Sequence, residues 1–170
     1  NGIPPHKKAS VSSEERLRMV YSAFKGSENV VIDDREIQKK DPSYAISTLR
    51  ELIDENPEHS LVWIMGSDAF AAIDSWYQWE DFIKMINIIV MVRPNHEIPI
   101  ESEAYKLLQK SHTIDKDSLS SGNEKILLLK IRSIEISSTD IRNKIYEGSD
   151  VSEFLLEEVN ELINKGNLYQ

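Results

Sequence analysis

Apolar residues recur along this chain at two spacings, one suited to helices and one to buried strands. Leu17, Val20, Tyr21 and Phe24 follow three or four apart behind Ser12-Ser13-Glu14-Glu15, which offers a capping hydroxyl and first-turn acids. Gly26 closes that helix. Asn29-Val30-Val31-Ile32-Asp33 reads as a short buried strand. Asp41-Pro42-Ser43-Tyr44 is a turn into a helix over 45–55, which Asn56-Pro57 stops. Leu61-Val62-Trp63-Ile64-Met65-Gly66 is apolar throughout, as a strand covered on both faces should be, and Ser67-Asp68-Ala69-Phe70 starts a helix directly behind it. A helix over 79–85 and a strand over 87–92 come next, closed by Arg93-Pro94. Residues 95–123 are polar and weakly patterned and read as a loop with one helix near 103–110. Residues 125–129 and 132–136 give one more strand or a bent pair. Helices over 139–146 and 151–165 each meet a glycine stop, Gly148 and Gly166.

Strands alternate with helices from Val30 onward, which predicts an α/β fold with a doubly wound parallel sheet and helices on both faces. Ligands of such sheets sit beyond the carboxyl ends of the strands. The 170 residues suit one domain, or one domain lacking a piece.

Composition narrows the classes of function. With 40% hydrophobic and 8% aromatic residues the chain has material for a core. Its net charge of −9 disfavours nucleic acid as a partner, because phosphate backbones require clustered Lys and Arg. A small anion needs only one local positive pocket and stays allowed. The absence of cysteine excludes disulfides and Cys-ligated zinc or iron–sulfur centres. No apolar run approaches the roughly 20 residues of a membrane helix. The expectation is a cytoplasmic protein with neither nucleic acid nor membrane as partner; a homo-oligomer stays open. His59, His96 and His112 lie in polar stretches without metal-ligand spacing, so no protein metal site is expected.

Four segments could carry chemistry, and each has a plainer reading. Gly66-Ser67-Asp68 follows a strand: Gly66 lets a backbone approach a ligand and Asp68 can accept from a ribose diol, or the pair merely caps a helix. Trp76, Tyr77 and Trp79 cannot all face the core from one helix, so one offers a flat face to a heteroaromatic ring, or they form an ordinary core cluster. Ile136-Ser137-Ser138-Thr139-Asp140-Ile141-Arg142 runs off a strand into a helix start, where free N–H groups and Arg142 favour a phosphate, or it is an N-cap with a surface arginine. Pro4-Pro5-His6-Lys7-Lys8 is a stiff basic loop that could meet phosphate, or is simply solvated.

Taken in order, Pro4-Pro5-His6-Lys7, Asp41-Pro42-Ser43-Tyr44, Gly66-Ser67-Asp68, Ser75-Trp76-Tyr77, Arg93-Pro94 and Ile136-Ser137-Ser138-Thr139 with Arg142 resemble bacterial nicotinate-nucleotide adenylyltransferase over essentially the whole chain. The resemblance implies a Rossmann-like nucleotidyltransferase fold over residues 1–170. It implies transfer of AMP from ATP, accompanied by Mg2+, to nicotinate mononucleotide, giving nicotinate adenine dinucleotide and pyrophosphate in NAD biosynthesis. It also implies roles. Gly66 and Asp68 contact the nucleotide, and Arg93 lies near the adenosine. Trp76 and Tyr77 frame the nicotinate ring, with backbone N–H groups near Tyr77 meeting its carboxylate and Tyr44 and Ala45 at the same end. Ser137, Ser138 and Arg142 hold ATP phosphates, and His6 and Lys7 border them. No covalent nucleophile is required, since in-line transfer rests on positioning and charge neutralisation.

Two departures bear on this expectation. The family carries a Gly-rich strand–turn ending in HxGH before the Pro-Pro-His loop, and no HxGH occurs in these residues. The expectation is that a first strand–helix unit is missing; a chain complete as it stands would be a nucleotide-binding module with little catalysis. Ala45 stands where the family commonly has Thr, which leaves open an acceptor such as nicotinamide mononucleotide, with phosphopantetheine the acceptor of a further relative.

Overall fold

The computed structural model describes residues 11–39, 41–92, 97–131 and 136–170. Their helices are α1 (Ser13–Ala23), α2 (Arg35–Gln38), α3 (Ala45–Glu55), α4 (Ser67–Ala71), α5 (Trp79–Met85), α6 (Glu103–Ser111), α7 (Ser138–Tyr146) and α8 (Glu157–Lys165). The strands are β1 (Val62–Gly66), β2 (Asn87–Val92), β3 (His112–Thr113) and β4 (Ile126–Lys130). They divide between two compact units: a sheet unit, Tyr44–Ile134, and a helical unit, Asn1–Ser43 with Glu135–Gln170.

In the sheet unit all pairs are parallel and the order is β1-β2-β4-β3. Register sets Trp63 beside Ile88 and Met65 beside Val90, then Ile88 beside Ile126 and Val90 beside Leu128. Side chains alternate across a strand, so these residues share one face, and that face enters the core with Phe70, Ile73 and Phe82. Helix α3 joins the same core because Ile46, Leu49 and Ile53 recur at helical spacing. It ends where Asn56 folds its side-chain amide back onto the Leu52 carbonyl at 2.9 Å, just before Pro57.

The crossover into β4 is held by one buried amide. Asn87 is fully buried at the start of β2. Its Nδ2 donates to the carbonyls of Leu119 (3.0 Å) and Gly122 (2.7 Å), and its Oδ1 accepts from the Lys125 N–H at 3.0 Å. The polar stretch before β4 is thereby ordered, with α6 and the two-residue β3 inside it.

The helical unit packs α1, α7 and α8 around Val11, Ile145, Val151, Ile163 and Leu168. Ser12 caps α1 by accepting from the Glu15 N–H at 3.1 Å.

Three sequence expectations need correction. Residues 30–33 are not a strand, and Val31 is 93% exposed: a short apolar run becomes a strand only where a neighbouring edge takes its hydrogen bonds. The helix expected over 151–165 starts only at Glu157. The Asp150 carboxylate accepts from the Ser152 N–H and hydroxyl, a local turn that competes with helix, and Ser152–Phe154 form a 3-10 turn instead. Ile64 is 59% exposed, because it alternates away from the core face that Trp63 and Met65 share; among the described residues β1 lies at the edge of the sheet. The second half of the bent pair, residues 132–135, and Arg93-Pro94 lie outside the described residues. Among the described residues no helix is long and apolar enough to cross a membrane.

Candidate active site

The β1–α4 junction is shaped by one close approach. Gly66 is the residue before α4 and has ordinary extended angles, so its glycine is not required by backbone conformation. Space is tighter: a Cβ there would lie 2.5 Å from Asp68 Oδ1, so that carboxylate would have to shift. The N-cap of α4 is Gly66, which makes no side-chain cap bond, and Ser67 is buried. Asp68 is exposed and its carboxylate has no ion pair or hydrogen bond among the described residues.

The aromatic segment separates by depth. Trp76 and Trp79 are half-buried and pack on the core, with Trp76 edge-to-face with Phe82 at 5.6 Å and Trp63 edge-to-face with the same ring at 5.1 Å. Tyr77 is the outward ring, 55% exposed. It meets Tyr44, 45% exposed, with ring centroids 4.6 Å apart and planes tilted by 36°. The structure thus brings the Pro-Ser-Tyr turn and the Trp-Tyr turn together. Gln78 follows in the left-handed region (φ 52), which turns the chain into α5. That turn leaves the N–H groups of Tyr77 and Gln78 without an acceptor among the described residues. Ala45 opens α3 one residue after Tyr44, which as N-cap makes no side-chain cap bond.

Residues 136–142 belong to the helical unit, and here the capping alternative holds for Ser137. Its Oγ accepts from the Asp140 N–H at 3.1 Å, while its own N–H donates to Asp140 Oδ2 at 2.9 Å, forming a reciprocal capping box. The Ser137 hydroxyl, and then its N–H, hold the Asp140 carboxyl below its ordinary pKa. A negative charge therefore already occupies the start of α7. Ser138 is exposed with no side-chain bond, and Arg142 donates to Thr139 Oγ1 at 3.1 Å without any ion pair. His6, Lys7 and Arg93 lie outside the described residues.

Comparison with known proteins places the chain. A cytidylyltransferase-like family model matches residues 1–144. A protein named as a probable nicotinate-nucleotide adenylyltransferase from Aeromonas salmonicida is 34% identical over 174 residues, covering 100% of this chain and 80% of that protein. One from Shewanella frigidimarina is also 34% identical, covering 100% of this chain and 82% of its own length. The chain belongs to the nicotinate-nucleotide adenylyltransferase family.

Nicotinate-nucleotide adenylyltransferases are nucleotidyltransferases, and the Rossmann-like α/β architecture expected from the sequence is the one found. Plasmodium falciparum nicotinic acid mononucleotide adenylyltransferase complexed with APC superposes with a TM-score of 0.69 at 18% identity, over 94% of this chain and 76% of that one. The same enzyme complexed with NaAD gives 0.67 at 18% identity, over 96% and 77%. Two features of the site escaped the sequence reading. Asp140 is legible in hindsight, because Ser137-x-x-Asp140 has capping-box spacing. Phe82 as the support of Trp76 carries no sequence signal beyond helical spacing.

Proposed function

We propose that this chain transfers AMP from ATP to nicotinate mononucleotide, as its relatives are named to do. The observation that carries the reading is the Tyr44–Tyr77 contact beside two unpaired backbone N–H groups. A flat aromatic surface next to free donors suits a pyridine ring bearing a carboxylate.

In the reaction a phosphate oxygen of the mononucleotide attacks the α-phosphorus of ATP in line. The new P–O–P bond forms as the bond to pyrophosphate breaks. No atom of the chain need become covalently attached, so its residues act by positioning and by neutralising charge. In the sheet unit, Gly66 keeps the junction open and Asp68 accepts from a nucleotide hydroxyl. Trp76, fixed by Phe82, and Tyr77, backed by Tyr44, frame the ring, with the Tyr77 and Gln78 N–H groups toward its carboxylate. In the helical unit, Ser138 and Arg142 bind ATP phosphates, with Ser137 acting through the cap. His6, Lys7 and Arg93 keep the phosphate and adenosine roles that the resemblance gives them. Mg2+ would neutralise the triphosphate. Such an ion keeps most of its shell from phosphate and water oxygens. A cytoplasmic location follows from this reading.

Steady-state kinetics with ATP and either nicotinate or nicotinamide mononucleotide tests the substrate. The acid should have the higher kcat/KM, and preference for the amide would sink the assignment.

A further inference from the structure

The helical unit contains a cavity of about 430 Å³ that none of the roles above uses, apart from the shared Arg142. It falls in the roughly 300–1,000 Å³ range of small-molecule sites. Its lining includes Val11 and Leu168, which are buried and apolar, and the phenol rings of Tyr146 and Tyr169. Two opposite charges complete it, Arg142 and Glu15.

Neither charge has an ion-pair partner among the described residues. Arg142 has only the Thr139 hydroxyl, and the Glu15 carboxylate only the Ser12 hydroxyl at 3.3 Å. Two left-handed residues also lie in the C-terminal part of the lining. Asn167 (φ 48) is left-handed as helix ends commonly are, and the Leu168 N–H closes α8 onto the Ile163 carbonyl at 3.0 Å. Tyr169 (φ 67) is left-handed as well, a conformation that a bulky residue rarely adopts and that the cap does not need.

We propose that this cavity binds a small zwitterion of the amino-acid or short-peptide class. Its carboxylate meets the Arg142 guanidinium, its ammonium meets Glu15, and its apolar side chain lies against Val11 and Leu168 beside the two phenols. One unpaired cation and one unpaired anion around an apolar lining complement such a ligand better than a simple anion, which Glu15 would repel. The inference concerns binding alone and stands whether or not the adenylyl-transfer reading holds.

Titration calorimetry on the full chain tests it, with L-phenylalanine and leucylphenylalanine as probes of short and long charge separation. At least one should bind saturably with a Kd below about 1 mM. N-acetylphenylalanine amide, which lacks both charges, should bind at least about tenfold more weakly, and so should the better probe to Glu15→Gln or Tyr146→Ala. Thermal melting of the variants checks that each is folded, and Glu15→Gln keeps the Ser12 contact. No saturable binding of either probe up to about 10 mM, well above the range of specific sites, overturns the proposal. Equal binding of the uncharged analogue, or a folded Glu15→Gln with unchanged affinity, overturns it too.

Discussion

The ring of Tyr44, at the entry to α3, lies 4.6 Å from the ring of Tyr77, at the turn into α5. Both rings stay about half exposed, so the contact is not core packing that happens to involve tyrosines. It joins two turns that the proposed function assigns to the same end of the mononucleotide. A tilted aromatic pair contributes about 0.5–1.5 kcal/mol beyond area burial. Tyr77→Ala and Trp76→Ala should each raise KM for the mononucleotide by about tenfold, with a much smaller change for ATP. Tyr44→Ala should do the same more weakly, and its effect should vanish in a Tyr77→Ala background. Equal losses for both substrates would count against the ring-framing role.

Ala45 is the first residue of α3 and follows a cap residue that makes no side-chain cap bond. A hydroxyl there would sit next to the Tyr44 ring at a helix start, where anions are favoured. Ala45→Thr should shift the acid-to-amide ratio of kcat/KM toward the acid by about tenfold, the worth of one good polar contact. An unchanged ratio would place the carboxylate elsewhere.

Gly66 and Asp68 give a test with a built-in control. A methyl at Gly66 lies 2.5 Å from Asp68 Oδ1, so Gly66→Ala must displace that carboxylate. Gly66→Ala and Asp68→Ala should each raise KM for ATP, by roughly the tenfold expected for one lost charged hydrogen bond. In an Asp68→Ala background, Gly66→Ala should add almost nothing, because its clash partner is gone. Additive losses in the double variant would show that Gly66 serves close backbone approach instead.

How much of this was legible in the residues differs by element. Helix α3 and strand β2 were readable to the residue, because Pro42, Asn56-Pro57 and unbroken apolar runs mark their ends. Residues 30–33 misled, since three apolar residues specify burial but not a pairing partner. Residues 151–165 misled because helical periodicity continued across Asp150–Ser152, where a side-chain-to-backbone bond wins locally. At the site, motifs were visible but their pairing was not: nothing in Tyr44 or Tyr77 alone announces that they touch. The segment 136–142 was balanced between cap and anion site, and the structure divides it, with Ser137 in the cap and Ser138 and Arg142 left unengaged by acids.

Asn87 is a buried polar residue that ties the sheet unit together. Its one amide satisfies three backbone groups, at Leu119, Gly122 and Lys125, from a fully buried position. Asn87→Ala leaves them without that partner and opens a small void, at a cost of about 3 kcal/mol. For a chain of this size that lowers Tm by roughly 6–12 °C. Hydrogen exchange should locate the loosening in residues 115–125. A Tm loss under about 2 °C, less than one ordinary hydrogen bond is worth here, would mean that water replaces the amide freely.

Asp140 should give the capping box a pH signature. The hydrogen bond from the Ser137 hydroxyl, followed by that from the Ser137 N–H, lowers its folded pKa below the ordinary 3.8. A carboxyl with a depressed folded pKa contributes stability that is present in full above the unfolded value and is lost as pH falls through the folded one. At neutral pH, Asp140→Ala should therefore melt below the parent chain. The gap should close as pH drops under 3.8, where the parent also loses its charged cap. Thermal melts across this range, followed by far-ultraviolet circular dichroism, give the comparison. A gap that stays constant down to strong acid would mean that Asp140 acts through its shape and the hydrogen bonds of its neutral form, and that its ionisation adds nothing to the start of α7.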